Sequence, residues 1–332
     1  MDVVLSAHGG GGKLTEELIQ EVFLDEFDNA ILSDMEDSAI LDIDSPKLAF
    51  TTDSYTIKPV FFPGGDIGRL AVCGTVNDLL MRGAEPLYLS ASFIIEEGFK
   101  IEDLKKIAGS MAKACREAGV KIVAGDTKVV ARGEADGLFI NTSGVGIVPQ
   151  GINISIKNAR PGDKVLVSGS IGDHGMAILS SRNDFTFDPP LMSDCAPLVD
   201  LVKVLRNFKD AVRLLRDPTR GGVAEVLFNI AQASHVGIEI YEEELPVKAQ
   251  VLSACDMLGL DFLQLANEGK LIAVVESSAA DEILDAVKRC KNGRDAAIIG
   301  TVNDSGQVTV RTPLGTSRIL SRPLGELIPR IC

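Results

Sequence analysis

Positive charge is scarce in this chain: 33 Lys and Arg face 47 Asp and Glu, for a formal net charge of −14 over 332 residues. That balance opposes general attraction to nucleic acid or to an anionic membrane, and no basic block or run of interleaved aromatics supplies a local exception. Any anionic ligand must be held by local features. Tryptophan is absent and aromatics amount to 5%. The six cysteines, Cys73, Cys115, Cys195, Cys255, Cys290 and Cys332, are spread along the chain without a CxxC zinc or redox pair, which fits a reducing cytoplasm. No uninterrupted apolar run is long enough to span a bilayer, and Met1-Asp2-Val3-Val4 carries no basic n-region, so the chain reads as soluble and cytoplasmic. Repeats of solenoid period are missing as well.

What is present is enough apolar material, 45% of the residues, for two domains with cores of their own. A glycine-rich arm leads into helical spacing at Leu14, Leu18, Ile19, Val22, Phe23 and Phe27, together covering 1–40. Strand patterns at Lys47–Thr52, Pro86–Ile95, Lys121–Ala124 and Leu138–Val148 alternate with helical ones at Ile67–Arg82 and Ile101–Ala118, an α/β domain over 41–150. A second α/β unit spans 160–312. It carries strands at Lys164–Ser168, Val236–Tyr241 and Leu271–Glu276, helices at Gly175–Ser181, Asp194–Asn207, Gly222–Ser234, Val247–Leu258 and Ala280–Lys291, and a hairpin around Asp304-Ser305-Gly306. From 313 to 332, Pro313, Pro323 and Pro329 predict an extended, solvent-accessible, mobile tail ending in the thiol of Cys332.

Several residues could carry chemistry. His8-Gly9-Gly10-Gly11-Gly12-Lys13 offers exposed backbone N–H groups, a cation and a helix start, the parts of a phosphate cradle, although a flexible linker has the same composition. Its spacing is not that of a Walker A loop. Asp53 and Asp126 end strand-like runs, where α/β sheets bind ligands, and Asp78 sits inside the apolar run Ile67–Met81. Asp66 and Asp217 join them. Each Asp alone reads rather as a turn or N-cap residue, and the signal lies in the set. Were several to converge, repulsion of about 4 kcal/mol per close pair would call for a hard cation such as Mg²⁺ bridging to phosphates. Lys128 could neutralise a phosphoryl group, and Glu268, in Asn267-Glu268-Gly269, could serve as a base or simply as part of a turn.

Taken together, His8–Lys13, Thr52-Asp53-Ser54-Tyr55, Phe61–Gly68, Asn77-Asp78, Gly125-Asp126-Thr127-Lys128-Val129-Val130, Gly169–Gly175, Asp217-Pro218-Thr219-Arg220-Gly221-Gly222, Asn267-Glu268-Gly269 and Pro329-Arg330-Ile331-Cys332 cover nearly the whole chain. The set resembles the HypE family of hydrogenase-maturation carbamoyl dehydratases, within the superfamily of aminoimidazole ribonucleotide synthetase and selenophosphate synthetase. The resemblance implies a two-domain fold with mixed sheets whose N-terminal domains pair into a barrel-like homodimer. It implies ATP held by Gly9, Gly10, Gly11, Gly12, Lys13, Asp53, Asp78, Asp126 and Thr127, with Mg²⁺ on Asp53, Asp78 and Asp126 and on Asp66 and Asp217 in addition. By the same resemblance Cys332 carries a carbamoyl group, loaded by a partner carbamoyltransferase, and Lys128, Glu268 and His8 act on it. The resulting cyano group passes to iron on a hydrogenase assembly scaffold. A small-molecule synthetase or kinase of the superfamily, or a nucleotide-binding scaffold without chemistry, are the competing readings. The terminal Cys argues against the former, as does the lack of a cysteine before Cys73, since selenophosphate synthetases usually carry a reactive one near the arm.

Overall fold

A computed structural model of the chain describes residues 13–18, 36, 39–41, 47–182, 186–322, 325 and 327–332. His8, Gly9, Gly10, Gly11 and Gly12 lie outside them, as does most of the first expected helix, whose described part is α1 (Lys13–Leu18). The N-terminal sheet runs β1 (Ala39–Leu41), β2 (Lys47–Tyr55), β7 (Leu138–Val148), β5 (Glu85–Glu96) and β6 (Lys121–Val130) in spatial order; only β5 and β6 are parallel. A two-residue ladder, β3 (Phe61–Phe62) with β4 (Gly65–Asp66), leads into α2 (Ile67–Met81), and α3 (Ile101–Ala118) precedes β6. Burial alternates along β7, every second residue turning inward, onto α2. The helix α2 is buried almost all round because its far side meets α3 and the C-terminal domain. Asp66 starts it, accepting from the backbone N–H of Gly68 at 2.8 Å and Arg69 at 3.0 Å.

The second domain is a seven-stranded mixed sheet in the order β14 (Ser317–Ile319), β13 (Val308–Arg311), β10 (Gly237–Tyr241), β12 (Ala297–Asn303), β8 (Lys164–Val167), β11 (Ile272–Val275) and β9 (Val212–Arg216). Its helices are α4 (Asp173–Arg182), α5 (Val199–Leu205), α6 (Gly222–Ser234), α7 (Ala249–Leu258) and α8 (Ala280–Lys288). Both faces of the sheet are covered, so β11 reads as an unbroken apolar run. Val165, Val167, Ile272 and Val274 pack with Val223, Leu227 and Ile230 of α6. Leu166, Ala273 and Val275 face the other way, into a core shared with α4, α5, α7, α8 and, in the first domain, with Ile67, Leu70 and Met111. Each fully buried Leu or Ile contributes about 1.5–3 kcal/mol, so this common core fixes the two domains against each other.

Four expectations are corrected. Asp304-Ser305-Gly306 is a turn but not a hairpin, because β10 is inserted between β12 and β13; the fit requires Gly237, where a Cβ would lie 2.2 Å from both Asn303 Oδ1 and Ser305 Oγ. The helix expected over Asp194–Asn207 is regular only from Val199 to Leu205, since the preceding backbone is bonded elsewhere: Ala196 N to Glu268 O, and Leu198 N to Asn77 Oδ1 at 2.9 Å. Strands β2 and β6 run past Asp53 and Asp126, which are therefore mid-strand residues. Pro313 lies in the connection to β14, so the tail begins after Ile319 rather than at 313.

Candidate active site

The end of the chain is folded into the cleft between the domains. The carbonyl of Cys332 accepts from Thr56 N at 3.0 Å and Thr56 Oγ1 at 3.3 Å, just past the end of β2. His174 Nε2, on α4, lies 2.9 Å from the Ile331 carbonyl, and the Ile328 and Ile331 side chains are buried. Arg220 Nη1 donates to Cys332 Sγ at 3.3 Å. Cys332 is thus half-buried, not freely accessible, and shares that exposure class with Cys290. Nor is the terminus fully extended, since Pro329 and Arg330 form a turn with Arg330 at φ 54°. Burial of two isoleucines outweighs the stiffness of an exposed proline arm.

Around this thiol lies a group of acids. Glu268 is 4% exposed and its Oε1 has no hydrogen-bond partner. Its position is over-determined by neighbours on both sides. Asn267 bonds Gly172 N at 2.8 Å and Pro218 O at 3.0 Å, and Glu268 N donates to Asp194 Oδ1 at 3.0 Å. A Cβ on Gly269 would sit 1.9 Å from Asp194 O, so no other residue fits there. Burial, then the charges of Asp217, Asp194 and Asp53, push the Glu268 carboxyl well above its ordinary value, with Arg220 opposing. Asp217 is raised to about 6, by burial first and then by Asp53 against the pull of Arg216 and Arg220. Arg220 in turn is held more firmly protonated by Cys332, with Asp53 and Glu268 adding to it. Tyr55, fully buried beneath, feels burial, Asp53 and Asp78, all of which raise its hydroxyl pKa. Cys332, Arg220, Glu268, Asp217, Asp53 and Asp194 therefore form one electrostatic unit.

The remaining expected site residues divide. Asp78 faces this side of the sheet and accepts from Thr51 Oγ1 at 2.9 Å. Asp66 is occupied as the α2 cap and also accepts from Ser110 Oγ at 2.7 Å, which accounts for it without a metal. Asp53 pairs across the sheet with Thr142, Ala91 and Gly125, whereas Asp126 pairs with Ser92 and Asn141. Adjacent strand residues point to opposite faces, so Asp126 and Lys128 lie on the open face, away from Asp53; Lys128 Nζ sits 3.7 Å from Asp126 Oδ2. Thr127 is exposed between them. Lys13 is exposed on α1 and pairs with Glu17 at 3.3 Å. Among the described residues no group of three His, Cys, Asp or Glu side chains is arranged to hold a metal ion, and no helix is long and apolar enough to cross a membrane. Arg220, Thr56, His174 and Asp194 were missed as individual site residues. Arg220 was visible inside Asp217–Gly222, but only the fold brings it to the chain terminus.

Two family models match the chain, AIR synthase related protein N-terminal domain over residues 35–148 and C-terminal domain over 160–312. Carbamoyl dehydratase HypE of Bradyrhizobium diazoefficiens is 51% identical over 329 residues, 98% of this chain and 95% of that protein. The chain belongs to the HypE family of carbamoyl dehydratases. A HypE–HypF complex contains a chain of 61% identity that superposes with a TM-score of 0.89, covering 92% of this chain and 99% of its own. A HypE solved in complex with ATP is 47% identical with a TM-score of 0.84, covering 99% and 100%. The mixed-sheet, two-domain architecture is thus that of the HypE family.

Proposed function

We propose that this chain uses ATP to dehydrate a carbamoyl group carried on Cys332 to a thiocyanate, the source of a cyanide ligand for the iron of NiFe hydrogenase. The observation that carries the reading is the terminal thiol docked 3.3 Å from Arg220 beside the buried Glu268 and Asp217. A thiol-bound S–CO–NH₂ has an oxygen that cannot leave as such. Attack of that oxygen on the γ-phosphorus of ATP expels ADP and, with loss of one N–H proton, gives S–C(OPO₃)=NH. Cleavage of the C–O bond then releases phosphate as the second N–H proton leaves, and S–C≡N remains.

In this scheme Arg220 holds the carbamoyl oxygen and the charge developing on it. Glu268 exchanges the nitrogen protons, its raised proton affinity making it a stronger base than an ordinary carboxylate. The docked tail keeps water from the activated carbamoyl group. Asp53 raises the proton affinity of Asp217, Asp53 and Asp217 raise that of Glu268, and Asp53 and Asp78 both act on Tyr55. That excess of negative oxygen donors suits a hard divalent ion, and we assign Mg²⁺ to Asp53, Asp78 and Asp217, which are not pre-arranged as a metal cage and would close on the ion together with the phosphates of ATP. Bound there, Mg²⁺ would neutralise the phosphates of ATP. The glycine-rich arm and Lys13 complete the nucleotide site.

Phe50, Tyr88 and Ile94 are exposed on the open face of the N-terminal sheet, and β6 is its edge strand among the described residues. Pairing of two such sheets in a homodimer would cover them and bring Asp126, Thr127 and Lys128 into use. Loading falls to a partner carbamoyltransferase, in keeping with the HypE relative found with HypF, and the cyano group passes to an iron-bearing scaffold in the cytoplasm.

Intact mass spectrometry of the Cys332-carbamoylated protein, before and after Mg-ATP, tests the reading. Loss of one water with release of ADP is expected, and Cys332→Ala should show neither modification nor loss. An unchanged carbamoyl mass with ATP bound would make the chain a carrier rather than a dehydratase.

A further inference from the structure

Arg182, the last residue of α4, uses its guanidinium on main-chain oxygens: Nε donates to Lys58 O, Nη1 to Pro329 O and Nη2 to Arg330 O. One planar fork thereby ties the C-terminal domain, the segment after β2 and the chain terminus together. The tail completes the junction from its own side. Lys58 N donates to Arg330 O at 3.4 Å, Arg330 Nε donates to Thr56 O at 2.7 Å, and Asp136 Oδ2 accepts from both Lys58 Nζ at 2.8 Å and Arg330 Nη1. Those two hydrogen bonds hold the Asp136 carboxyl below its usual range, so it stays charged through neutral pH. None of these bonds involves Cys332 Sγ. A group attached to the thiol leaves the grip intact.

We propose that Arg182 is a positioning residue, a latch that sets the ratio of docked to released tail, with the Arg330–Asp136 pair as its salt-sensitive second half. The inference rests on the reading of Cys332 as a carrier that must alternate between this cleft and a loading partner. Because the fork grips carbonyls rather than side chains, it holds bare and carbamoylated tails alike. Arg220, by contrast, meets the sulfur itself. The latch thus governs residence in the cleft, and Arg220 and Glu268 govern what happens there.

The test is the alkylation rate of Cys332 in the full-length protein by iodoacetamide, read by mass spectrometry, with half-buried Cys290 as internal reference. Arg182→Ala is expected to speed Cys332 labelling about tenfold, equivalent to about 1.4 kcal/mol, with Cys290 unchanged. Arg182→Lys, which can reach one carbonyl but not three, should fall between. Asp136→Asn should give a smaller acceleration that disappears at high salt, where wild type has lost the same ion pair. In the loading assay, the KM of the carbamoyltransferase for this chain should fall with Arg182→Ala while kcat is retained, since only the released tail is taken. Unchanged Cys332 labelling in Arg182→Ala overturns the latch. So does a rise at Cys290 in step with Cys332 in both Arg182 variants, which would make Arg182 a general support of the fold. Labelling needs neither ATP nor a carbamoyl group, so failure here is distinct from failure of the dehydratase reading.

Discussion

Replacing Asp217 by Asn should stabilise the ligand-free protein, and the gain should depend on pH in a defined way. The Asp217 carboxyl is raised from 3.8 to about 6, mainly by burial. Between those values the folded chain keeps a proton that the unfolded chain has released, so stability falls as pH rises through the window. Below about pH 4 both states become largely protonated and the group costs little. Above about pH 6 the whole penalty stands, about 3 kcal/mol for a displacement of this size. Asn has the same shape and cannot ionise, and its presence also relieves Glu268, for which Asp217 is the foremost unfavourable charge. Thermal unfolding of both proteins without nucleotide at pH 4 and pH 7 reads the effect, because titrating groups that do not feel Asp217 cancel in the difference and the relief of Glu268 adds to it with the same sign. A cooperative unit of about 150–250 residues gains about 2–4 °C per kcal/mol, so the variant should melt about 6–12 °C above wild type at pH 7 and level with it at pH 4. Parallel pH profiles would refute the claim that burial holds Asp217 in a desolvated surrounding.

Gly269→Ala forces a Cβ to within 1.9 Å of the Asp194 carbonyl, a backbone atom that cannot rotate aside; a loss of about 1–3 kcal/mol in urea unfolding is expected, and full stability would show that the Asn267–Gly269 turn is not confined as described. Arg220→Ala should slow dehydration of preloaded Cys332 by about 10²–10³-fold in single turnover while loading proceeds normally, and an undiminished rate would remove Arg220 from the chemistry.

Strand β7 is legible residue for residue, as Leu138–Val148, because Gly137 and Pro149 bound the run and such breakers act locally. Helix α3, Ile101–Ala118, is legible from its periodicity, likewise a local property: one face meets the core and the rest is solvated. The expected helix over Asp194–Asn207 starts late, at Val199, and the segment before it is bonded to Glu268 and Asn77, partners that no window around Asp194 contains. Asp126 illustrates a second kind of limit. Its strand continues to Val130 through pairing with β5, and the register then turns its side chain to the face opposite Asp53. Two acids that look equivalent in sequence are separated by one residue of register.

Residue order alone determined the two-domain α/β plan, the glycine-rich and acidic motifs and the presence of a thiol at the last position, since periodicity, turn chemistry and motif spacing are all read within short stretches. Only tertiary structure decided that Arg220 meets Cys332, that burial and neighbouring charge raise the proton affinity of Glu268 and Asp217, that Asp66 is a helix cap and that Arg182 grips the tail. Desolvation and charge coupling depend on which distant segments exclude water together, and that information appears only when the shared core has closed over them.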